Sequence, residues 1–501
     1  MGSNSFRLPR RATWTAIVVL AAAVCPAPCA AQGAGAPAGS APGDLAPAVA
    51  FAGRVIEALR EGSGTPGVSV AVGIGDRIVW SGGFGWADLE QRVAVTPATR
   101  FRVGSVSKPL TAAAIGLLVD EGRLDLDAEV QAYVPDFPRK RWPLTSRQVA
   151  GHLAGIRHYD GEEFLSSRPY ETVREGLTIF ENDSLLFEPG TRFSYSSYGW
   201  NLLSAVVEGA SGEEFLRFMD ERVFAPIGMR STTADLAYAI VPDRARPYHG
   251  RVPEPGLFNA PFVDNSYKWA GGGFLSTPED LVRFGLEHLR SLDGAGILQP
   301  ATVRLLWAPQ RTSGGEETGY GIGWSSGETP DGRLWVDHGG GSIGGTSFLL
   351  VLPAQETVVA MATNFTRGPA GLRPAMLIAD AFLDPASVAA ADPAGLALLG
   401  RWDCTVRDGD VVAASGTLEL VDDGGRVAGR APWHTAEGRD EPDVLRTTVV
   451  HAAAHASGTR LVLSDQFGRL HELVLRPTAA GAAGTWQGGG DPSSVTCSAL
   501  P

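Results

Sequence analysis

The sequence predicts an α+β domain followed by a small all-β barrel. Strand-like segments with alternating apolar residues lie near both ends of residues 50–385, and helical periodicity dominates between them. Strands at both ends with helices between them indicate one antiparallel sheet built from both ends of the domain and flanked by helices. From residue 398 onwards, short alternating segments separated by Gly and Asp turns are typical of a small antiparallel barrel or sandwich.

The elements follow in order from these patterns. Residues 49–60 have helical periodicity, and Gly75-Asp76 separates two strand-like runs at 67–72 and 78–81. A second helix is expected from Ser105 to Glu121, ended by Gly122. Thr277 followed by Pro278 and, three residues on, by Asp280 is a helix start. The remaining predicted helices are 146–153, 170–180, 198–209, 212–224 and about 370–382; the remaining predicted strands are 334–337, 346–352, 357–362, 416–420, 426–430, 445–451, 460–463, 471–475 and 484–487.

Length and composition bound the class of protein. The 501 residues leave room for two or three domains, and 44% hydrophobic with 19% charged residues are ordinary globular values. The net charge of -13 with no basic stripe argues against nucleic-acid binding and against docking on anionic membranes.

The first 31 residues have the pattern of a secretory signal peptide. A basic region (Arg7 to Arg11) precedes a short apolar region (Trp14 to Val24), and small residues then offer a cleavage site after Ala31. The apolar run is short for a membrane span, although uncleaved anchoring stays open. We therefore expect an exported protein, periplasmic or extracellular, whose mature form does not span a membrane.

The domain boundaries follow from shifts in composition. We expect a signal peptide at 1–31, a flexible Ala/Gly/Pro/Ser-rich linker at 32–49, a main domain at 50–385, a second linker at 386–397 and a β-barrel domain at 398–501.

Two cysteines, Cys404 and Cys497, remain after the leader, and both lie in the terminal module. In an oxidising compartment we expect one disulfide that ties the first strand of this module to its last, with two free buried thiols as the alternative. His451 and His455 have i, i+4 spacing, but that spacing favours a metal only on a helix, and this segment is strand-like. No metal or cofactor is predicted.

Ser105 and Lys108 are the candidate catalytic pair. Ser105 lies where a strand-like run gives way to a helix, and residues three apart on a helix face the same way. A serine hydroxyl becomes a nucleophile when a neighbouring base takes its proton, and a desolvated lysine can be that base. The alternative is a chance helix start with a solvated lysine.

Lysine usage favours the catalytic interpretation. Of the 42 Lys and Arg residues only Lys108, Lys140 and Lys268 are lysine, and the other 39 are arginine. Arginine cannot lose its proton in proteins, so a lysine stands where a titratable amine would be needed.

Two further segments carry candidate chemistry. Tyr195 follows a Pro-Gly turn and precedes a helix, and a phenol beside a lysine can have a lowered pKa and relay a proton; the alternative is a packing tyrosine. His338 is followed by Gly339, Gly340 and Gly341, and glycines let a backbone N–H approach a substrate carbonyl closely; the alternative is a glycine-rich turn.

The segment Gly340-Gly341-Ser342-Ile343-Gly344 matches the Gly-x-Ser-x-Gly pattern of a nucleophile elbow. That elbow requires a strand, a sharp turn and a helix, whereas the residues that follow here (346–352) are strand-like. We therefore reject Ser342 as the nucleophile.

Three motifs together resemble those of serine β-lactamases and DD-peptidases. They are Gly104-Ser105-Val106-Ser107-Lys108, Pro189-Gly190 with Tyr195-Ser196-Ser197, and His338-Gly339-Gly340. Their flanks, Gly151 to Tyr159 and Asp264 to Gly273, are similar to those of class C-related mitochondrial β-lactamase-like serine proteases and their bacterial relatives. The resemblance covers about residues 50–384, and the terminal module resembles the lipocalin-like module often appended to such hydrolases.

The resemblance implies a β-lactamase/transpeptidase-like fold and a set of roles. Ser105 would be the acylated nucleophile, Lys108 its base and Tyr195 the proton relay. His338 would take the third-motif position, and the N–H groups of Ser105 and Gly341 would form the oxyanion hole. Substrate contacts would come from Ser197, His338, Gly340 and Gly341.

Two departures from the family pattern bear on the substrate. Ser197 stands where β-lactamases and DD-peptidases have asparagine, and His338 stands where they have lysine. A mostly neutral histidine is a weaker anchor for a β-lactam carboxylate. We therefore expect a peptidase or esterase acting on a small-molecule or peptide substrate, with a peptidoglycan-derived one as a candidate. The alternatives are a true β-lactamase or DD-carboxypeptidase, and a non-catalytic peptidoglycan sensor or scaffold.

Overall fold

The computed structural model describes residues 45–250, 256–388, 398–422, 427–435, 444–455, 458–465, 469–479, 481–487 and 492–500. The predicted signal peptide and most of the first linker lie outside these residues, as does most of the second linker. Among the described residues, no helix combines the length and the apolar character that crossing a bilayer needs.

The α-helices are α1 (Ala46–Ser63), α2 (Ser107–Asp120), α3 (Ser146–Ala150), α4 (Val173–Leu177), α5 (Ser197–Ser211), α6 (Phe215–Phe218), α7 (Ala225–Ile227), α8 (Trp269–Gly272), α9 (Pro278–Leu292), α10 (Pro300–Trp307) and α11 (Leu372–Leu383). The strands of the main domain are β1 (Gly67–Ile74), β2 (Arg77–Asp88), β3 (Val93–Ala94), β4 (Phe101–Arg102), β5 (Thr233–Ala234), β6 (Tyr248–Gly250), β7 (Leu257–Asn259), β8 (Phe274–Ser276), β9 (Ser325–Glu328), β10 (Leu334–Ser342), β11 (Gly345–Leu352) and β12 (Thr357–Thr363).

The main sheet is antiparallel and has the order β3-β2-β1-β12-β11-β10-β9. It therefore joins strands from both ends of the domain, and the α+β architecture expected from the sequence is confirmed. The loop between β10 and β11 is a two-residue turn at Ile343-Gly344, with Ser342 paired to Gly345. Because a strand follows this turn, the structure agrees with the rejection of the Ser342 elbow.

Consecutive residues of the central strands face opposite sides of the sheet, as the pleat requires. Val70 and Val72 pack with α1 and α11, whereas Ala71 packs in the larger core that contains α2, α5 and α9. The sheet is thus covered on both faces. Helix α2 is buried on all sides, and 12 of its 14 residues are inaccessible, which fixes the position of any group that projects from its first turn.

The structure corrects several boundaries. Helix α1 begins at Ala46, inside the predicted flexible linker. The predicted helix 170–180 shrinks to α4 because Thr172 caps it, accepting a hydrogen bond from the Glu175 N–H. The predicted helix 212–224 begins only at Phe215 because Gly212 has a left-handed φ of 70° and ends α5. Helix α10 and strand β9 were not predicted.

The terminal module is a closed eight-stranded antiparallel barrel. Its strands are β13 (Gly400–Asp408), β14 (Val411–Asp422), β15 (Val427–Thr435), β16 (Val444–His455), β17 (Gly458–Asp465), β18 (Leu470–Thr478), β19 (Gly481–Gln487) and β20 (Ser493–Leu500). The first strand pairs with the last, Cys404 is opposite Cys497, and the two form a disulfide. His451 and His455 lie on strand β16 and not on a helix.

The barrel contacts the main domain through α1 and α11. The ring of His451 lies 4.7 Å from the ring of Phe51, edge to face. Arg373 donates a hydrogen bond to the Leu470 carbonyl at 2.8 Å. Val450, Val462 and Leu470 of the barrel belong to the same apolar cluster as α1.

Candidate active site

Ser105 is presented by a short 3-10 turn, Gly104–Val106, that leads directly into α2. Gly104 has a φ of +49°, and a Cβ at this position would lie 2.5 Å from the carbonyl oxygen of Gly341. Only glycine therefore fits, both for its backbone conformation and for the close approach of strand β10. The turn places a half-buried Ser105 beside the glycines that follow His338.

Lys108 is completely buried, and its Nζ lies 2.9 Å from Ser105 Oγ, 3.1 Å from Ser197 Oγ and 2.6 Å from the carbonyl oxygen of Gly271. Burial, and secondarily the charge of Lys268, holds its pKa well below the usual value for lysine. A neutral amine has two N–H groups and one lone pair. All three are satisfied when the two N–H groups donate to the Gly271 carbonyl and the Ser197 hydroxyl, and the lone pair accepts from the Ser105 hydroxyl.

Tyr195 lies next to this pair. Its ring centroid is 4.7 Å from Lys108 Nζ, and its phenol hydrogen-bonds the Ser105 and Ser197 hydroxyls. The lowered pKa expected from the sequence is wrong: burial raises the pKa of Tyr195, and the two hydrogen bonds offset it only in part. The reason is that burial removes the phenol from the water that would solvate a phenolate. Tyr195 is therefore a neutral donor.

Ser197 completes the cluster from the first residue of α5. Ser196 is the N-cap of this helix and accepts a hydrogen bond from the Gly199 N–H at 3.1 Å. The N–H groups of Ser196 and Ser197 donate to the Nδ1 atoms of His152 and His158, each at 3.1 Å. Two histidines thus hold the turn that carries Tyr195 and Ser197.

Sequence reasoning gave these two histidines no role. His152 is buried and has a φ of +62°, a conformation that is uncommon for a non-glycine residue. Burial, with Lys108 nearby, holds the pKa of His152 well below its usual value and lowers that of His158 to about 4. Both rings are therefore neutral acceptors for the backbone. The positive φ was not readable from the sequence.

His338 is buried behind Tyr195, with 4% of its surface exposed. Its Nδ1 lies 2.7 Å from the Gly339 carbonyl and its Nε2 lies 2.9 Å from the Tyr320 hydroxyl. Nδ1 must therefore carry the proton, and Tyr320 donates to Nε2. Burial lowers the pKa of His338 to about 3. Both ring nitrogens are occupied, so the side chain supports the site from behind, whereas the sequence predicted a direct substrate contact.

A cavity of about 460 Å³ opens beside Ser105. Ser197, Gly340 and Gly341, all expected at the substrate site, line it together with Ser105. The other lining residues are His158, Tyr159, Phe164, Lys268, Gly271, Gly272, Ser342, Thr346, Thr366 and Arg367. Lys268 and Arg367 were not predicted as site residues. The scarcity of lysine was the one sequence signal that could have singled out Lys268.

No group of His, Cys, Asp or Glu that could hold a metal ion occurs among the residues that the structure describes.

This fold, with Ser105 lining the cavity and with Lys108 and Tyr195 packed beside Ser105, defines the class of protein. A family model described as Beta-lactamase matches residues 52–382, and the chain belongs to this family of serine hydrolases. The family resemblance and the β-lactamase/transpeptidase-like fold expected from the sequence are confirmed.

Among curated relatives, the chain is similar to the serine β-lactamase-like protein LACTB, mitochondrial, of Bos taurus. The two are 32% identical over 414 residues, 64% of this chain and 74% of that protein. A D-aminopeptidase of Gluconobacter oxydans (strain 621H) is 27% identical over 303 residues, 60% of this chain and 56% of that protein.

Two solved structures share the fold. The octameric penicillin-binding protein homologue from Pyrococcus abyssi has a TM-score of 0.58 and 22% identity, covering 89% of this chain and 99% of that one. The D-amino acid amidase from Ochrobactrum anthropi SV3 has a TM-score of 0.57 and 22% identity, covering 68% and 99%.

Proposed function

We propose that this chain hydrolyses amide or ester substrates through an acyl-enzyme on Ser105. The observation that carries the proposal is the fully buried Lys108 amine, 2.9 Å from Ser105 Oγ. Burial disfavours the charged ammonium and lowers the pKa of Lys108, which favours the neutral amine that can act as a base. A neutral amine in contact with a serine hydroxyl is the arrangement that activates a nucleophile.

In the proposed reaction the proton of Ser105 passes to Lys108 as Oγ attacks the substrate carbonyl carbon. The N–H groups of Ser105 and Gly341 stabilise the oxyanion of the tetrahedral intermediate. The proton then returns through Tyr195 to the leaving group, whose bond to carbon breaks, leaving an ester on Ser105. Water attacks this ester, its proton goes to Lys108, and the acid product departs with Ser105 reprotonated.

Relatives with amide substrates favour a peptidase or amidase. Proteins similar to this chain carry the names D-aminopeptidase and D-amino acid amidase. The departures at Ser197 and His338 point away from efficient β-lactam hydrolysis. Ser197 uses its hydroxyl on Lys108, and His338 is neutral and bonded to Tyr320. A β-lactamase or DD-carboxypeptidase is the second candidate, favoured by the shared motifs.

The test uses the full chain and a fluorophosphonate probe, read by intact mass. We expect one adduct on the wild type, located on Ser105, and none on Ser105→Ala. Turnover of D-amino acid amides, short acyl esters and a chromogenic cephalosporin then separates amidase, esterase and β-lactamase. Absence of any adduct on the folded wild type would favour a non-catalytic sensor or scaffold and contradict the proposal.

We also propose that the chain is exported. The support is the basic, apolar and small-residue regions of residues 1–31. Mass spectrometry of the protein recovered from the periplasm or medium should find Gln32 as its first residue. Recovery with residues 1–31 intact in the cytoplasm would overturn the export proposal.

A further inference from the structure

The Ser197 hydroxyl joins the polar groups that surround the nucleophile. Its Oγ lies 3.1 Å from Lys108 Nζ, and it also hydrogen-bonds the phenols of Tyr195 and Tyr159. The residue is buried, with 2% of its surface exposed. A hydroxyl donates one hydrogen bond and accepts others at the same time, so it is able to pass a proton from one neighbour to another.

The cavity gives such a hydroxyl a task. Lys108 is completely buried and does not line the cavity of about 460 Å³, whereas Ser197 does. Water that occupies the cavity would therefore contact Ser197 and not the Lys108 amine. The walls supply no carboxylate as an alternative base, since the described lining residues include no Asp or Glu.

Formation of an acyl-enzyme changes the hydrogen bonds available to Lys108. In the free protein the lone pair of its amine accepts from the Ser105 hydroxyl, 2.9 Å away, and its N–H groups donate to Gly271 and Ser197. Once Ser105 Oγ carries an acyl group, it has no hydrogen to donate. The lone pair then lacks a donor, and the Ser197 hydroxyl, 3.1 Å away, supplies one by rotation about its Cβ–Oγ bond.

We propose that Ser197 is a catalytic residue that relays the proton of the hydrolytic water to Lys108 during deacylation. The proposal rests on the proposed function and assigns the route of one of its proton transfers. As the water oxygen bonds to the ester carbon, its proton passes to Ser197 Oγ while the Ser197 proton passes to Lys108 Nζ. The bond between the carbon and Ser105 Oγ then breaks, Lys108 returns the proton to Ser105 Oγ, and the free acid departs.

The residue type and its placement both suit this role. The asparagine that stands here in β-lactamases and DD-peptidases has an amide, which forms hydrogen bonds but does not take up one proton and release another as a hydroxyl does. Ser197 is the first residue of α5, and its N–H donates to His158 Nδ1 at 3.1 Å. His158 also lines the cavity, but because its Nδ1 accepts, its other ring nitrogen carries the proton and offers no lone pair to water.

Lys268 is the other amine that lines the cavity. Its Nζ lies 4.0 Å from the ring centroid of Phe164, 5.1 Å from that of Tyr267 and 5.4 Å from that of Tyr159. Burial, and secondarily the charge of Arg102, lowers the pKa of Lys268 to about 7, so neutral amine is present at neutral pH. However, no hydrogen bond within the described part of the chain joins this amine to the nucleophile or to its base. The variant Lys268→Met therefore tests a rival route.

The experiment measures acylation and deacylation separately. With the full-length protein in excess over a p-nitrophenyl ester, nitrophenolate release gives the acylation rate, and loss of the acyl mass from Ser105 gives the deacylation rate. In Ser197→Ala we expect acylation within about threefold of the wild type and deacylation slowed by about 10²-fold or more, the size of a lost proton-transfer contribution. Intact mass spectrometry should then show acylated Ser105 accumulating during turnover.

Matched variants separate a relay from a structural role. Ser197→Thr keeps a hydroxyl and should restore most of the deacylation rate. Ser204→Ala removes another buried hydroxyl from α5, one that bonds only the Asn201 carbonyl and does not line the cavity, and it should match the wild type. Thermal unfolding checks that each variant is folded.

A solvent isotope measurement on the wild type needs no variant. In mixtures of light and heavy water the deacylation rate should fall along a curve, because two protons move in the same step, one from water to Ser197 and one from Ser197 to Lys108. In Ser197→Ala the fall should be linear. A linear fall in the wild type would overturn the relay.

The other outcomes are equally decisive. Deacylation of Ser197→Ala at the wild-type rate would overturn the relay, whether or not Lys268→Met accumulates acyl-enzyme. Equal slowing of acylation and deacylation in Ser197→Ala would make Ser197 a support for Lys108 and would overturn the relay as well. In each case acylation of Ser105 in the wild type would still uphold the proposed function. If the wild type forms no adduct on Ser105, the proposed function fails and the relay fails with it.

Discussion

The Nζ of Lys108 lies 2.9 Å from the Oγ of Ser105, and the lysine side chain has no exposed surface. Proximity alone would describe many surface lysines. Burial is what favours the uncharged, proton-accepting form of this lysine, because removal from water disfavours the ammonium and lowers its pKa. The fully buried helix α2 and the carbonyl of Gly271 then hold the amine in place.

Replacing Lys108 with methionine should abolish most activity. The hydroxyl of Ser105 would lose its base while the apolar volume is kept, and a general base contributes about 10²- to 10⁴-fold. The measurement is kcat/KM for any substrate that the wild type turns over. Lys140→Met, at a site remote from the cavity, serves as the control and should match the wild type. Activity of Lys108→Met within threefold of wild type would remove Lys108 from the mechanism.

Tyr195→Phe should affect amides more than activated esters. An amide leaving group needs a proton, which the neutral phenol of Tyr195 is placed to relay, whereas a nitrophenolate leaves without one. We expect kcat on an amide to fall by about 10²-fold or more and kcat on a p-nitrophenyl ester to change much less. Equal losses on both substrates would contradict a role in leaving-group protonation.

His338 and Tyr320 should behave as a coupled pair in stability. Their 2.9 Å hydrogen bond is buried, so His338→Phe leaves the Tyr320 hydroxyl without an acceptor. We expect a loss of about 1–3 kcal/mol in the free energy of unfolding. The double variant, His338→Phe with Tyr320→Phe, removes both polar groups. Its loss in the free energy of unfolding should be smaller than the sum of the losses in the two single variants. Additive losses in denaturant melts would show that the contact is not made.

The disulfide should stabilise the barrel without serving catalysis. Cys404 and Cys497 are 93 residues apart in sequence and join the first and last barrel strands. Replacing both with serine should lower the stability of the barrel by about 2–4 kcal/mol. Limited proteolysis should then cleave within 398–501 first, while fluorophosphonate labelling of Ser105 keeps its wild-type rate. Unchanged proteolysis would contradict the role assigned to the disulfide.

The sequence predicted the architecture because period-two segments and turn residues are local signals. The strand that follows Ser342 could be read in this way, whereas the link between the first and last barrel strands was expected from Cys404 and Cys497. The environment of Lys268 could not, because the aromatic rings around it come from segments about a hundred residues apart. The direction of the Tyr195 pKa shift was mistaken for a related reason: burial of the phenol sets it, and that burial is produced by tertiary packing.

The most direct test of the neutral amine is the pH dependence of Ser105 phosphonylation. The rate should rise with pH as Lys108 loses its proton, with an inflection well below that of free lysine, and stay flat above it. Burial lowers the pKa of His158 to about 4 and that of His338 to about 3, so an inflection near neutral pH does not come from these two histidines.

Lys268 titrates near 7, so the same profile is measured in Lys268→Met. The account predicts that the inflection persists in this variant and moves upward, because a positive charge near Lys108 has been removed. An inflection near 10 in the wild type, or its loss in Lys268→Met, would contradict a neutral Lys108 as the base.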